Sequence, residues 1–204
     1  ACDREVQMVR RAVGICDVTT LGKIDIQGPD AAAFLDLLYS NSFASLKQGR
    51  VRYGLMLRED GHVMDDGTCA RIGAQHYLMT TTTAAAGQVM RHLDFVHQGL
   101  RSDFDVSFTS VTEHWAQFAV AGPEARALLN GILDRKISDK TLPYMGYKAV
   151  QLGGIAARLF RISFSGEHAY ELAVPARYGQ SLFQLLLERA EALGGGAYGL
   201  EALN

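Results

Sequence analysis

The sequence predicts an α+β fold in which helices alternate with antiparallel strand pairs rather than with single parallel strands. Three observations predict it. The order of elements reads β-α-β-β-β-α-β followed by β-α-β-β-β-α, the pattern of two split, ferredoxin-like βαββαβ halves. An apolar strand, a Gly-Pro-acid-Ala turn and an amphipathic helix occur twice, at Gly28-Pro29-Asp30-Ala31 and at Gly122-Pro123-Glu124-Ala125, 94 positions apart. The 204 residues are 48% apolar and 21% charged, enough to bury a sizeable core. These point to an internal duplication with two intertwined halves, roughly 14–112 and 113–204.

Residues 1–13 carry Val6, Val9 and Val13 with Met8 and Ala12 on one stripe of a helix that Gly14 ends. Ile15 to Thr19 is a short strand. Lys23-Ile24-Asp25-Ile26-Gln27 alternates as a half-buried strand should. Pro29 suits a first helical position and Asp30 the positive helix N-terminus, so a helix follows to about Tyr39. His76 to Thr82 is a strand, and Ala84 to His97 a helix with Val89, Leu93 and Val96 inward. Phe104 to Val111 and Trp115 to Ala121 are strands. Beyond the second Gly-Pro turn, Ala156 to Ser163 and Ala169 to Val174 are strands. Arg177 to Leu193 is a long helix with Leu182, Phe183, Leu186 and Leu187 as its core face. Both ends read as cut, the first as a helix under way and the last, GLEALN, as a helix beginning. A piece of a longer polypeptide is expected.

The centre of the chain is the hairpin Tyr53 to Ile72, turning at Glu59-Asp60-Gly61. Its second strand holds two adjacent carboxylates, Asp65 and Asp66, and aspartate is depleted in strands. Alternation puts Met64, Asp66, Thr68, Ala70 and Ile72 on one face. Asp66 is therefore expected to be the one that looks into an apolar interior, where a carboxylate needs a partner or a raised pKa. A solvent-facing aspartate at a bulge or sheet edge fits the residues equally well.

Several chemistries find no support. The net charge of −2 and the lack of a basic stripe leave no nucleic-acid footprint. No apolar run approaches the roughly 20 residues of a membrane span. The cysteines, Cys2, Cys16 and Cys69, are scattered and odd in number, as free thiols of a reducing compartment are, so a cytoplasmic protein is expected. There is no phosphate-binding P-loop, and no G-x-S-x-G elbow around Ser163 or Ser165. The six histidines form no i, i+4 pair on a helix, so no metal site is expected.

A second acidic element remains, Ser165-Gly166-Glu167-His168-Ala169-Tyr170-Glu171. Glu171 opens an otherwise apolar strand. There a carboxylate can accept two parallel N–H bonds, the donor pair that pterins and guanidinium groups offer. Pairing with an arginine of its own chain, Arg158 or Arg161, is the competing reading.

Three stretches carry a family resemblance. Gly14 to Ala31, GICDVTTLGKIDIQGPDA, resembles the opening of the folate-binding glycine-cleavage T-protein (aminomethyltransferase) family. Gly61-His62-Val63-Met64-Asp65-Asp66 resembles that family's G-G-I-x-D-D. Phe164 to Glu171 resembles its Y-T-G-E-x-G-Y-E. The motifs stand in the family's order and cover essentially the whole chain. Within the family the details (LMLREDGHVMDDGTCARI, the threonines after Met79, LPYMGY and AYGLEALN) are most similar to the C-terminal part of the alpha subunit of heterotetrameric sarcosine oxidases.

The resemblance implies a cloverleaf of α+β domains around tetrahydrofolate. It implies acceptance of the one-carbon unit of oxidised sarcosine, giving 5,10-methylenetetrahydrofolate. FAD, FMN and NAD would belong to other parts of the full enzyme, and beta, gamma and delta subunits would be partners. Transferred by position, Asp66 matches the family's catalytic aspartate and Tyr53 a tyrosine lining the folate pocket. Thr82 stands where the T-protein has a pocket asparagine, and Glu171 matches the glutamate that clamps the pterin. Three positions depart. Phe164 replaces a pocket tyrosine, Ala169 replaces the glycine of G-Y-E, and Leu203 falls where the T-protein has a ligand-contacting arginine, which favours the oxidase branch. The alternatives are an aminomethyltransferase or other folate-dependent demethylase, and a non-catalytic folate-binding module.

Overall fold

The computed structural model describes residues 2–203. Leu203, read as the replacement of a family arginine, has its side chain outside the described residues. In chain order the elements are α1 (Cys2–Arg11), β1 (Gly14–Asp17), β2 (Gly22–Gln27), α2 (Ala31–Leu38), β3 (Val51–Leu57), β4 (Val63–Gly73), β5 (His76–Thr81), α3 (Ala86–Phe95), β6 (Ser107–Ser110), β7 (Trp115–Ala121), α4 (Ala125–Asn130), β8 (Gly146–Leu152), β9 (Ile155–Arg161), β10 (Ala169–Pro175), α5 (Gly179–Ala192) and β11 (Gly196–Ala197). This is the mixed α+β architecture that the order of apolar segments implied. A π-helical turn, Val96–Leu100, extends α3.

The chain forms two compact units. One is continuous, Thr20–Glu113; the other is split, joining the residues through Thr19 to those from His114 onward. The continuous unit holds a five-stranded sheet in the order β3-β4-β5-β2-β6, with every neighbour antiparallel. Its last four strands, β4-β5-β2-β6, have the ferredoxin-like order. One sheet face packs on α2 and α3 through Ile24, Ile26, Met56, Cys69, Tyr77 and Met79. Phe34 of α2 is fully buried there, stacked on Phe108 at 5.7 Å and edge-on to His97 and Phe104. Cutting such a ring back to alanine costs about 3–5 kcal/mol.

The split unit holds a six-stranded sheet in the order β11-β1-β7-β10-β9-β8. Its core face carries Ile15, Phe118, Val120, Leu159, Leu172 and Val174 against α4 and α5. The two sheets share one plan, since β3, β4, β5 and β2 correspond to β8, β9, β10 and β7. The difference lies beside β7. There β1 pairs antiparallel with β7 and parallel with β11, where the continuous unit has the single strand β6.

The Gly-Pro turns repeat to the level of single bonds. Gly28 and Gly122 have φ of +137° and +129°. Gly28 N–H donates to Gln75 O and Gly122 N–H to His168 O, at 3.0 and 2.9 Å. Ala31 N–H returns to Gly28 O, and Ala125 N–H to Gly122 O. Each glycine presses on foreign backbone. A Cβ would stand 2.3 Å from Asp105 O at Gly28, and 2.4 Å from Ala12 O at Gly122. Backbone at such angles and so tightly approached admits glycine alone.

Candidate functional site

In the continuous unit the candidate residues Tyr53 and Asp66 lie on β3 and β4, and Thr82 directly follows β5. Tyr53 is in register with Thr68, and Leu55 with Asp66. Tyr53 and Asp66 are thus diagonal neighbours on the sheet face turned away from the α2–α3 core. The Tyr53 hydroxyl donates to Asp66 Oδ2 at 2.7 Å. That bond, more than burial, raises the pKa of the phenol. Tyr53 is 48% exposed and Asp66 half-buried, so both are reachable from solvent.

The expectation that Asp66 points into the apolar interior is corrected. Asp65 is the buried carboxylate, 6% exposed, opposite the fully buried Met56. Asp65 shares its face with the core residue Cys69, and Met64 is a false guide to Asp66 because it sits at a β-bulge. Met56 pairs with Asp65 but Leu57 with Val63, so Met64 is an extra residue that breaks the alternation. Met64 packs on the core cluster without placing Asp66 there.

Asp65 has a definite task. The β4–β5 ladder runs to Cys69–Met79, after which the Thr80 side chain takes over. Thr80 Oγ1 accepts the Thr68 N–H at 2.9 Å and donates to Thr68 O at 3.1 Å. Gly67 permits this approach, since a Cβ there would lie 2.1 Å from Thr80 O. Past that point Asp65 bridges the diverging strands. Its carboxylate accepts the Thr82 hydroxyl at 2.8 Å and the Thr82 N–H at 3.2 Å. Burial pushes the Asp65 pKa up, and the two Thr82 bonds pull it back. Thr82 therefore spends its hydroxyl proton on Asp65 and keeps only lone pairs for anything else.

In the split unit, Glu171 lies in β10 between β7 and β9, opposite Ala119 and Phe160. It is half-buried, and the Gln117 amide donates to its Oε2. Arg161 bonds Asp139 at 2.5 Å, and Arg158 stacks over the Trp115 ring at 4.1 Å. Phe164, 84% exposed, sits on the loop before β10, which turns at Gly166 with φ of +81°. Ser163 Oγ closes that loop on Glu167 O at 2.7 Å, and Arg10 holds the Glu167 carboxylate at 3.1 Å.

The structure thus joins Tyr53 to Asp66, and Thr82 to Asp65, in one unit, and carries Glu171 and Phe164 in the other. Two participants were not singled out from the sequence, Asp65 as the buried member of its pair and Gln117. Gln117 had a signal: it is the one amide in an otherwise apolar strand, Trp115 to Ala121. Among the described residues no group of three or more His, Cys, Asp or Glu comes together as metal ligands do. No helix among them is long and apolar enough to cross a membrane.

Comparison with known proteins places the chain in a family. The family described as the GCVT N-terminal domain matches residues 1–204. The sarcosine oxidase subunit alpha of Rhizobium meliloti is 52% identical over 204 residues, covering 99% of this chain and 21% of that protein. The same subunit of Corynebacterium sp. strain P-1 is 40% identical. An aminomethyltransferase of Thermus thermophilus is 35% identical over 88% of this chain and 50% of its own length. The chain therefore spans about a fifth of the alpha subunits it matches. The crystal structure of aminomethyltransferase T of the Bartonella henselae glycine cleavage system superposes over 100% of this chain and 52% of its own, with a TM-score of 0.84 at 23% identity. A chain of heterotetrameric sarcosine oxidase from Corynebacterium sp. U-96 superposes over 97% of this chain with a TM-score of 0.65 at 13% identity, a likeness of fold. The chain is a member of the GCVT N-terminal domain family, with the T-protein fold.

Proposed function

We propose that this chain is the tetrahydrofolate-binding, one-carbon-accepting part of a sarcosine-oxidase-type alpha subunit. The observation that carries the reading is 52% identity to such a subunit across the whole chain, with Asp66 and Tyr53 hydrogen-bonded on an accessible sheet face. Identity to aminomethyltransferases is lower, 35% over 88% of the chain, which favours the oxidase branch.

The donor set suits a reduced pterin. Its pyrimidinone ring presents a ring N–H and an exocyclic amino group side by side along one edge, a planar pair of donors. Glu171 offers a carboxylate on a sheet face whose neighbours are Ala119, Ala169 and Ala173. Two parallel N–H bonds to one carboxylate are charge-assisted and specific for a planar donor pair. Gln117 Oε1 is a buried acceptor with no partner, and it lies beside that carboxylate. On this reading Glu171 holds the pterin edge, and Tyr53, Asp66, Thr82 and Phe164 are the further contacts.

When bound, tetrahydrofolate supplies the nucleophilic nitrogens that take up a one-carbon unit. The chain supplies orientation and a proton relay. Asp66 is an acceptor for a proton leaving an amine nitrogen, a role that needs reach and a fixed carboxylate. Tyr53 fixes it, its hydroxyl donating to Oδ2, and Oδ1 is the oxygen this reading assigns to the incoming group. Thr82, its proton given to Asp65, can only accept from a ligand. The donor amine is oxidised elsewhere in the full enzyme, and the other subunits of a heterotetramer are the partners this reading requires.

Calorimetric titration of the full-length protein with a stable reduced folate tests the proposal. The wild type is expected to bind. Glu171→Ala is expected to bind about 10–100-fold more weakly, the worth of a charge-assisted pair. Asp66→Ala is expected to keep most of its binding and lose one-carbon transfer. Binding indifferent to Glu171 would sink the placement of the pterin, and an Asp66→Ala enzyme with normal transfer would remove the proton relay.

A further inference from the structure

Gln117 is buried, 1% exposed, in the middle of β7. Its backbone is locked to the segment after β1. The Gln117 N–H donates to Thr19 Oγ1 at 3.0 Å, and its carbonyl accepts the Val18 N–H at 3.0 Å and the Thr19 hydroxyl at 3.3 Å. Its side chain crosses diagonally to β10, where Nε2 donates to Glu171 Oε2. A carboxylate oxygen only accepts, so this contact fixes which end of the amide faces Glu171. The other end, Oε1, is then buried with no hydrogen-bond partner.

That arrangement is poor for stability. A buried carbonyl oxygen without a donor has lost its water and received nothing in return. On the same sheet face lie Cys16, Ala119, Ala121, Ala169 and Ala173, with Phe160 and Arg158, the latter over the Trp115 ring, on the next strand. A leucine would fill the Gln117 position without an orphaned polar atom. What the glutamine provides is a rigid donor to one oxygen of Glu171. A glutamate loses much rotamer freedom when a ligand immobilises it. One that is already held has lost that freedom before the ligand arrives, and binding is tighter by the difference.

We propose that Gln117 is a positioning residue that presets the Glu171 carboxylate to receive a planar N–H donor pair, at a cost to the stability of the fold. The inference deepens the folate reading and rests on it. Gln117 acts through Glu171, so its effect belongs to recognition of the donor edge and not to one-carbon transfer.

The test pairs two measurements on the full-length protein, thermal unfolding without ligand and calorimetric titration with 5-formyltetrahydrofolate. Gln117→Leu is expected to unfold at the same or a higher temperature and to bind tenfold or more weakly. Weaker binding with no loss of stability is what a purely structural glutamine cannot produce. Gln117→Glu adds a carboxylic acid that donates to Glu171 only while it keeps its proton. Its affinity is expected to be near wild type at mildly acid pH and to fall as pH rises, a profile absent from the wild type. Wild-type affinity in Gln117→Leu overturns the proposal. So does a loss in both stability and affinity there, combined with a flat pH profile in Gln117→Glu. If the wild type itself does not bind the folate, the folate reading fails first and the positioning role falls with it.

Discussion

The Tyr53 hydroxyl is hydrogen-bonded to Asp66 Oδ2 at 2.7 Å, across a strand pair that sets the two residues diagonal to one another. Asp66 thereby has one oxygen fixed by a neighbour that is itself nearly half exposed. The phenol is held protonated, its pKa raised first by this bond. Tyr53→Phe removes the donor and leaves the ring. A hydrogen bond to a charged group is worth about 1.5–3 kcal/mol when well shielded, and partial exposure puts this one at the low end. One-carbon transfer to reduced folate by the full-length enzyme is expected to fall about tenfold, with folding unaffected. An unchanged rate would show that Asp66 needs no help from Tyr53.

The buried Asp65 makes a prediction about pH. Its folded-state pKa is raised above the ordinary carboxylate value of 3.8, with burial as the main cause. Such a group contributes stability that is present below the unfolded pKa and is lost as pH rises through the folded one. Asp65→Asn removes that titration. Urea unfolding from pH 3.5 to 7 should show the wild type losing stability relative to Asp65→Asn as pH rises. A constant difference would mean that the Thr82 bonds fully offset the burial.

His168 predicts the opposite sign. Its Nε2 accepts from Arg126 Nη2 at 3.2 Å and from the Tyr170 hydroxyl at 2.8 Å, so the ring is neutral with its proton on Nδ1. Burial first, then Arg126 and Arg161, lower its pKa below 6.5, while Asp139 works weakly the other way. Its stabilising contribution is present above about pH 6.5 and lost on acidification through the folded value. His168→Gln retains an acceptor and cannot be protonated. Thermal unfolding from pH 7.5 to 5 should cost the wild type more than the variant, and parallel curves would count against the neutral ring.

The duplicated Gly-Pro turns can be tested by contrast with Gly61. Gly28→Ala and Gly122→Ala each impose a positive φ and a clash with backbone, and each should destabilise by about 1–3 kcal/mol or more. Gly61 also has positive φ, +83°, but nothing lies within 4 Å of its added Cβ. Gly61→Ala should therefore cost only about 1 kcal/mol. Chemical denaturation of the three variants checks the order. Equal losses would mean that the backbone angle outweighs the close approach.

Much of this was legible in the residues. The hairpin turning at Gly61, the strands around each Gly-Pro turn and the apolar stripe of α5 follow from local periodicity and turn chemistry. Resemblance offered Tyr53, Asp66, Thr82, Phe164 and Glu171 as site positions, and they remain the basis of the proposed function. What was not legible depended on register or on distant pairing. Asp65 shares the inward face of β4 with Cys69, and the bulge at Met64 put that residue inward as well, which made it a false guide to Asp66; a period-two reading has no means of locating a bulge. The splitting of one unit could not be seen either, because the short strand Gly14–Asp17 chooses its partner in space, more than a hundred residues downstream. Gln117 stands out in sequence only as an amide among apolar neighbours. Its partner, three strands on in the chain, needed the sheet order to be known.

The insertion of β1 between β7 and β11 has a consequence for synthesis. Gly14 pairs with Ala121 on one side and Gly196 on the other. A ribosome adding about 5–20 residues per second makes β7 roughly 5–20 s after β1, and β11 later still. Meanwhile the whole of Thr20–Glu113 has been made and can fold as a contiguous block. Ile15, fully buried in the finished sheet, spends that interval with no strand to pair with. Assembly of the split unit is therefore expected to be the late and slow event, governed by the long loop that must close before β1 finds its neighbours. It is also the interval in which a nascent chain has most to gain from a chaperone.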